Sequence, residues 1–351
     1  MKKITFIAPD LRSGAGIEKI TSILINHFVE LGCKVQLILL WDNIIGFELP
    51  KNVKITYMGF SKQKRISYAI FHLNELIRNI DGDTIYSLMN PASDISVLAG
   101  KISGKRVIVA ERNDPSSFPF SKKLRMIRNI SYRFADRIVF QTEEQKKYFP
   151  KKIQKKGVII CNPIRNNMPA PYKGVRNKHI VTAGRVDKQK NIPLLFRSYL
   201  RIANEYPEYD LFIYGKGKLE NEMQDLAKQM GLTNRIHFEG FKENVNDIIK
   251  DSAMFVLSSD FEGISNAMIE ALALGIPTIC TDCPIGGARQ MIQDGKNGLL
   301  VPVGDDGALY NAMKKIIDNP QFADELAEEG KKIRLLYPED KIVQKWLDLA
   351  K

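Results

Sequence analysis

The sequence predicts an α/β protein built from two parallel-sheet domains. Three observations carry this. Short apolar runs alternate with segments of helical periodicity along the chain. Polar or Gly-containing loops follow most of the apolar runs, as at the strand exits of βαβ units. A polar, Pro-containing stretch, Asn166–Asn177, interrupts the alternation near the middle of 351 residues, a length that suits two domains.

Lys3–Ala8 reads as a buried strand, and Pro9–Gly16 as the loop leading to a helix over Ile17–Leu31. That helix presents Ile17, Ile20, Leu24, Phe28 and Leu31 on one face and ends at Gly32. Val35–Leu40 is the next strand, so the chain opens strand, helix, strand. Val53–Tyr57 is a strand. Arg65–Ile80 is one helix with Ile66, Ala69, Ile70, Leu73, Leu76 and Ile77 on its apolar face. Thr84–Leu88 and Val107–Ala110 are further strands. Asp81-Gly82-Asp83 has an Asp-x-Asp spacing, but it lies between a helix end and a strand start, where Asp-Gly reads as a turn. Gly14-Ala15-Gly16 invites a dinucleotide-binding reading, yet Lys19 stands where the third glycine belongs and the glycines lie several residues past the strand. As a loop entering a helix N-terminus it still suits a phosphate.

Past Val107–Ala110 the strand exit carries Glu111, Arg112 and Asn113. Polar residues at the exit of a parallel strand face the ligand crevice. Two readings stand for them: contacts to an acceptor substrate, or a structural ion pair. Phe120–Gly157 is the basic part of the chain, with twelve Lys and Arg against three acids and with Leu124, Met126, Ile127, Ile130 and Phe134 interleaved. This pattern fits a basic amphipathic helix on an anionic membrane surface, and equally a solvated face.

In the second half His179–Ala183 is a strand, Gly184–Asn191 a polar basic loop, and Ile192–Ala203 a helix. A basic loop before a helix N-terminus suits a diphosphate: Arg185 binds it bidentately and Lys190 adds a point charge. Leu211–Tyr214 and Ile236–Glu239 are strands, with a helix over Leu219–Met230 between them. Met254–Leu257 is a buried strand, and a Gly-containing loop, Asp260–Ile264, leads to a helix over about Asn266–Leu274 that Gly275 and Pro277 end. Asp306–Asp318, Gln321–Leu335 and Pro338–Ala350 read as closing helices. Glu270 lies inside a largely apolar helix. Either it faces solvent or caps a loop, or it accepts hydrogen bonds from a ligand diol such as a ribose. Glu262, beside Gly263 at a helix N-terminus, suits the orientation of an uncharged, hydroxyl-rich group.

Composition bounds the rest. Hydrophobic content of 44% and charged content of 26% are those of a globular chain. No apolar run approaches the ~18 residues of a membrane span. The opening MKKITFIAPD is too short for a signal-peptide core and reads as a strand. Cys33, Cys161, Cys280 and Cys283 are expected as reduced thiols of a reducing compartment; Cys280-x2-Cys283 has half a zinc spacing, but there is no second close pair. No metal or cofactor is expected. The net charge of +12 favours an anionic partner: nucleic acid, acidic lipid or a diphosphate substrate. With no helix-turn-helix, RNP or zinc-finger signature, nucleic acid is not expected.

Glu262 and Glu270 sit in the frame EGISNAMIEALALGIPTICTD…GGARQMIQDGKNGLLVPVGD. This frame resembles the Glu-x7-Glu signature of retaining glycosyltransferases of the GT-B fold, the large glycosyltransferase family 4, in the group that assembles cell-surface polysaccharides. The resemblance implies two Rossmann-like, doubly wound parallel-sheet domains facing across a cleft. Residues 1–164 would form the acceptor domain, 165–335 the nucleotide-sugar domain, and 336–351 a helix returning to the first. It implies a metal-independent, retaining hexosyltransferase that moves a hexose or N-acetylhexosamine from a nucleotide diphosphate sugar, UDP foremost, to a glycan acceptor, with a polyprenol-diphosphate-linked glycan at the inner membrane face as the expected kind. The resemblance assigns Arg185 and Lys190 to the donor diphosphate, Glu262 to the donor sugar and Glu270 to the ribose. Gly263, Ile264, Ser265 and Asn266 complete the donor loop, and Gly16 matches a glycine that faces the diphosphate. The family often has a histidine where Arg112 stands, so that role does not carry over. Two rival functions remain: a nucleotide-sugar epimerase of the same fold, and a basic nucleic-acid-binding protein with a Rossmann-like core.

Overall fold

In the computed structural model the described residues are 1–12, 16–60 and 65–351, so Gly14 and Ala15 of the glycine-containing loop lie outside them. The chain divides into two compact units, Met1–Pro163 together with Glu339–Lys351, and Ile164–Pro338.

The N-terminal unit alternates as the apolar pattern requires. β1 (Lys3–Ala8) leads to α1 (Gly16–Glu30), β2 (Lys34–Leu39) and β3 (Lys54–Tyr57). α2 (Arg65–Phe71) and α3 (Leu73–Asn79) precede β4 (Thr84–Ser87), and α4 (Ala92–Ile102) precedes β5 (Arg106–Ala110). α5 (Lys122–Ser131), β6 (Arg137–Phe140), α6 (Glu143–Lys147), α7 (Lys151–Gln154) and β7 (Gly157–Ile159) complete it. The described residues make one parallel sheet of order β3-β2-β1-β4-β5-β6-β7. Its inner strands are buried on both faces, which their near-continuous apolar runs allow. The winding direction reverses between β1 and β4, the place where a doubly wound sheet opens a crevice.

The Ile164–Pro338 unit repeats the plan. β8 (His179–Ala183), α8 (Ile192–Glu205), β9 (Asp210–Tyr214), α9 (Glu220–Gln229), β10 (Ile236–Gly240) and α10 (Val245–Ile249) come first. β11 (Met254–Leu257), α11 (Asn266–Ala273), β12 (Thr278–Thr281), β13 (Leu299–Val301), α12 (Asp306–Asp318), α13 (Pro320–Gly330) and α14 (Ile333–Leu336) follow. Its parallel sheet has the order β10-β9-β8-β11-β12-β13, with the reversal between β8 and β11. Leu194, Phe196 and Tyr199 of α8 and Leu309 and Met313 of α12 pack with Ile180, Met254 and Ile279 into one core.

The last helix, α15 (Glu339–Asp348), belongs to the first unit and packs on α1. Trp346 is buried against Tyr86, whose hydroxyl donates to the Trp346 carbonyl at 2.7 Å. His27 of α1 meets Glu339 at 2.6 Å.

The structure departs from the sequence pattern in several places: α4 is an additional helix, and Leu31, expected on the apolar face of the first helix, lies beyond α1 and is exposed. Arg65–Ile80 is two helices, because His72 (φ −94°, ψ 19°) leaves helical geometry and its ring lies 5.8 Å from that of Phe60. Ile70, expected on the apolar face, is half exposed. Gln321–Leu335 likewise divides into α13 and α14. Among the described residues no helix is long and apolar enough to cross a membrane.

Removing a buried aromatic leaves a cavity that typically costs about 3–5 kcal/mol. Trp346→Ala is therefore expected to lower the stability of the first unit by that amount. Urea unfolding followed through near-ultraviolet circular dichroism measures it, and a loss under about 1 kcal/mol would show that α15 is dispensable.

Candidate active site

The reversal between β8 and β11 brings two loops together. The first runs from Gly184 to Asn191. It closes in a short 3-10 turn, Lys188–Lys190, whose Asp187 side chain accepts from the Gln189 N–H at 3.1 Å. Asn191 then takes the left-handed conformation (φ 42°) and caps α8 through the Leu194 N–H. Asparagine suits that position because it tolerates positive φ and offers a capping oxygen. The second loop runs from Ser258 to Ser265, and the Ser265 side chain caps α11.

Hydrogen bonds between them tie the loops into one unit. Asn191 Nδ2 donates to Asp260 Oδ1 at 2.6 Å, and the Asp260 N–H donates to the Gln189 carbonyl at 2.9 Å. Gln189 Nε2 donates to the Phe261 carbonyl at 2.9 Å, and Ser258 Oγ to the Lys190 carbonyl at 2.8 Å. The frame fixes two charged side chains. The Lys190 ammonium is ion-paired with Glu262 Oε1, both largely buried, and Ser259 Oγ donates to the same carboxylate oxygen at 3.1 Å. Gly287 backs the loop: a Cβ there would lie 1.9 Å from the Gly263 carbonyl oxygen, so only glycine lets the two segments close.

The remaining donor-loop candidates fall around this pair. Arg185 is mostly exposed, with its Nε 3.6 Å from Asp187. Ile264 is buried, and Asn266 opens α11, whose N-terminal amides add partial positive charge. Glu270 lies on the same helix with its side chain only 12% exposed, so the solvent-facing reading does not hold. It accepts from Asn246 Nδ2 at 3.2 Å and lies 3.8 Å from Arg165 Nε. Arg165 and Asn246 escape sequence reasoning because Asn246 is 24 residues away and no spacing rule links either residue to Glu270. What this unit offers is a cation pair, Arg185 and Lys190, a helix N-terminus and two carboxylates: donors for an anion beside acceptors for hydroxyls.

The N-terminal unit holds the other candidates. Gly16 opens α1 and is exposed. Glu111, at the exit of β5, is sealed inside, 3.2 Å from the guanidinium of Arg128, so of its two readings the ion pair is the one the geometry matches. Arg128 also donates to the Phe118 carbonyl at 2.7 Å and the Pro115 carbonyl at 2.9 Å, and lies over the Phe149 ring. That corrects its place among the surface cations. Arg112 donates to Asn162 Oδ1, and the Asn113 carbonyl accepts from Gln145 Nε2 at 2.8 Å. Asp81–Asp83 forms the turn into β4: the Gly82 N–H donates to Thr5 Oγ1 at 2.9 Å, and Asp81 pairs with Lys54. The four cysteines are buried free thiols.

Residues 164–333 match the family model described as Glycosyl transferases group 1. The chain is 25% identical over 354 residues, 99% of both chains, to an uncharacterized glycosyltransferase of Haemophilus influenzae. It is 27% identical over 343 residues, 92% of both chains, to an N-acetylgalactosamine-N,N'-diacetylbacillosaminyl-diphospho-undecaprenol 4-alpha-N-acetylgalactosaminyltransferase of Campylobacter jejuni. Among solved structures it is similar to Anabaena HepE in complex with UDP and glucose, with a TM-score of 0.84 at 18% identity over 99% of both chains. It is also similar to sucrose-phosphate synthase of Thermosynechococcus elongatus, with a TM-score of 0.83 at 17% identity over 99% of this chain and 98% of that one. The two parallel-sheet units and these neighbours give the GT-B fold, and the matches together support a glycosyltransferase. The relatives named here are transferases, so the epimerase alternative is not favoured.

Burial pushes the Glu111 carboxyl up to about 7, with Arg128 pulling it back, and pushes Asp94 up to about 6. A raised carboxyl keeps its proton in the folded state after the unfolded chain has lost it. Its stability contribution is therefore complete below the unfolded value of 4.5 and lost as pH rises through about 7. Glu111→Gln is expected to flatten the fall in melting temperature between about pH 5 and 7. Scanning calorimetry across that range measures it, and parallel wild-type and variant profiles would refute the shift.

Proposed function

We propose that this GT-B glycosyltransferase is a retaining, metal-independent enzyme of the family 4 type. It moves a hexose or N-acetylhexosamine from a UDP-sugar to a glycan acceptor carried on a polyprenol diphosphate, in the synthesis of a surface polysaccharide. The observation that carries this is the Lys190–Glu262 pair, held by two interlocked loops at the reversal point of the Ile164–Pro338 sheet. In doubly wound sheets that point is where nucleotides bind.

In this reading the arriving diphosphate takes Lys190 away from Glu262. Arg185, Lys190 and the α11 N-terminus then stabilise the charge that grows on the departing diphosphate, a preorganised electrostatic contribution that needs no ion. Glu262, released, orients the hydroxyls of the donor sugar, with Gly263, Ile264, Ser265 and Asn266 lining its loop. Glu270, steadied by Asn246, accepts the ribose hydroxyls. The acceptor oxygen attacks the anomeric carbon from the face the nucleotide leaves, and its proton passes to the departing phosphate oxygen. Arg112 and Asn113 serve the acceptor, and Glu111 holds their loop through Arg128. The acceptor class is supported by the Campylobacter jejuni relative, whose name places its substrate on diphospho-undecaprenol. An enzyme at the inner face of the membrane would meet such an acceptor.

Arg185→Ala is expected to lower kcat/KM about 100-fold or more, the loss of one preorganised donor. Unchanged turnover would remove Arg185 from the mechanism. Glu270→Ala should chiefly weaken nucleotide binding, read by isothermal titration with UDP; an unaltered Kd would refute the ribose role. The reading as a whole is tested by thermal unfolding with UDP, GDP, ADP and NAD in turn, with EDTA throughout. A ligand that binds the folded state alone raises the melting temperature. UDP is expected to do so, and a shift with NAD but with none of the diphosphates would overturn the glycosyltransferase reading.

A further inference from the structure

Glu270 is a carboxylate met by three separate stretches of the Ile164–Pro338 unit. On its own helix, α11, it is flanked by the buried Ile269 and Ala271. α10 supplies the buried Asn246, whose Nδ2 donates to Oε2 at 3.2 Å. The segment that opens the unit supplies Arg165, whose Nε lies 3.8 Å from Oε1. That Nε is buried and makes no hydrogen bond among the described residues. The backbone that carries it is anchored: the Ile164 N–H donates to the Tyr337 carbonyl at 2.9 Å, and Ile164 and Met168 on either side of Arg165 are buried.

The two neighbours act differently on the carboxylate. Asn246 takes one of its lone-pair sites, on Oε2. Arg165 stands beyond hydrogen-bond reach of Oε1, so it supplies positive charge without consuming an acceptor site. A carboxylate this enclosed is costly unless charge or hydrogen bonds compensate it. The amide fixes one oxygen, and the guanidinium beside the other holds the second. A carboxylate held in this way is a receptor for two adjacent hydroxyls. We infer that Arg165 is a positioning residue: by holding Glu270 it makes the site select a vicinal diol, so that a nucleoside diphosphate with an intact ribose is taken and one lacking the hydroxyls is rejected. A site built to bind hydroxyls discriminates strongly against an analogue without them, because its buried polar groups are then left unpaired. The inference rests on the ribose role proposed for Glu270 and adds the residue that gives that role its selectivity.

The test is isothermal titration of the full chain with UDP and with its 2′,3′-dideoxy analogue, with EDTA present. The wild-type protein is expected to bind UDP about 10- to 100-fold more tightly than the analogue, the range for hydrogen bonds to a charged group. Arg165→Gln, which keeps a polar side chain but no charge, should weaken UDP about tenfold and leave the analogue within about twofold. Arg165→Lys should retain most of the preference, because a charge without a hydrogen bond is what this position supplies. In a Glu270→Ala background, Arg165→Gln should add nothing further, read as a double-mutant cycle. The melting temperature without nucleotide checks that each variant is folded, and Arg165→Ala is the second uncharged variant where Gln disturbs folding. Equal weakening of both nucleotides overturns the inference, since it assigns Arg165 to the diphosphate or to the fold at large. So does unchanged UDP binding in the uncharged variants, or a Lys variant no better than they are. A selective loss in Glu270→Ala with none in Arg165→Gln removes Arg165 alone. If the wild type and Glu270→Ala both bind the two nucleotides alike, the ribose role of Glu270 fails instead.

Discussion

The Lys190–Glu262 ion pair is the constraint on which the Ile164–Pro338 unit depends. Its members lie 72 residues apart and reach each other only because β8 and β11 are neighbours at the reversal of the sheet. Two largely buried charges of opposite sign are stable together and costly apart. The loops that carry them are therefore stapled by side-chain bonds from Ser258, Gln189 and Asn191, and Gly287 leaves the space that their close approach requires. A ligand that replaces one member must satisfy the other in the same step, which selects for a molecule bearing both an anion and nearby hydroxyls.

A second buried pair governs the N-terminal unit in a different way. Arg128 reaches from α5 to Glu111 at the exit of β5, and its remaining donors close on the carbonyls of the segment between them. α5 and the loop that bears Arg112 and Asn113 are thus clamped to one guanidinium. Removing Arg128 would disturb both, and this buried role is the opposite of what a charge count along the chain suggests.

What the sequence made legible follows physical range. The strand-and-helix alternation was readable because each parallel strand, buried on both faces, is a short apolar run. The stretch from Glu262 to Glu270 was readable because its glycines, cap and helix are local. α4 was not, since it is buried through Ala92, Ser93, Ser96, Ala99 and Gly100 and so shows little apolar periodicity. These small residues let it lie close on the sheet: a Cβ on Gly100 would meet Val107 at 2.1 Å. The partners Asn246 for Glu270 and Arg128 for Glu111 were also out of reach, because a side chain's neighbour across a fold leaves no mark on spacing. The same holds for Arg128 itself, which sits in a run of solvent-facing cations and differs from them only in three dimensions.

The position of α15 has a consequence for biosynthesis. Trp346 closes the space beside Tyr86, Arg106 donates to the Leu349 carbonyl at 2.8 Å, and Lys2 to the Leu347 carbonyl at 3.1 Å. The first sheet is thus completed by residues translated after the whole of Ile164–Pro338. Domains generally fold as they emerge from the ribosome, N-terminal first. Here the order is inverted at the final step: the second unit has every one of its strands available while the first still waits for its covering helix. During that interval the apolar surface of α1 and Tyr86 that α15 covers faces water.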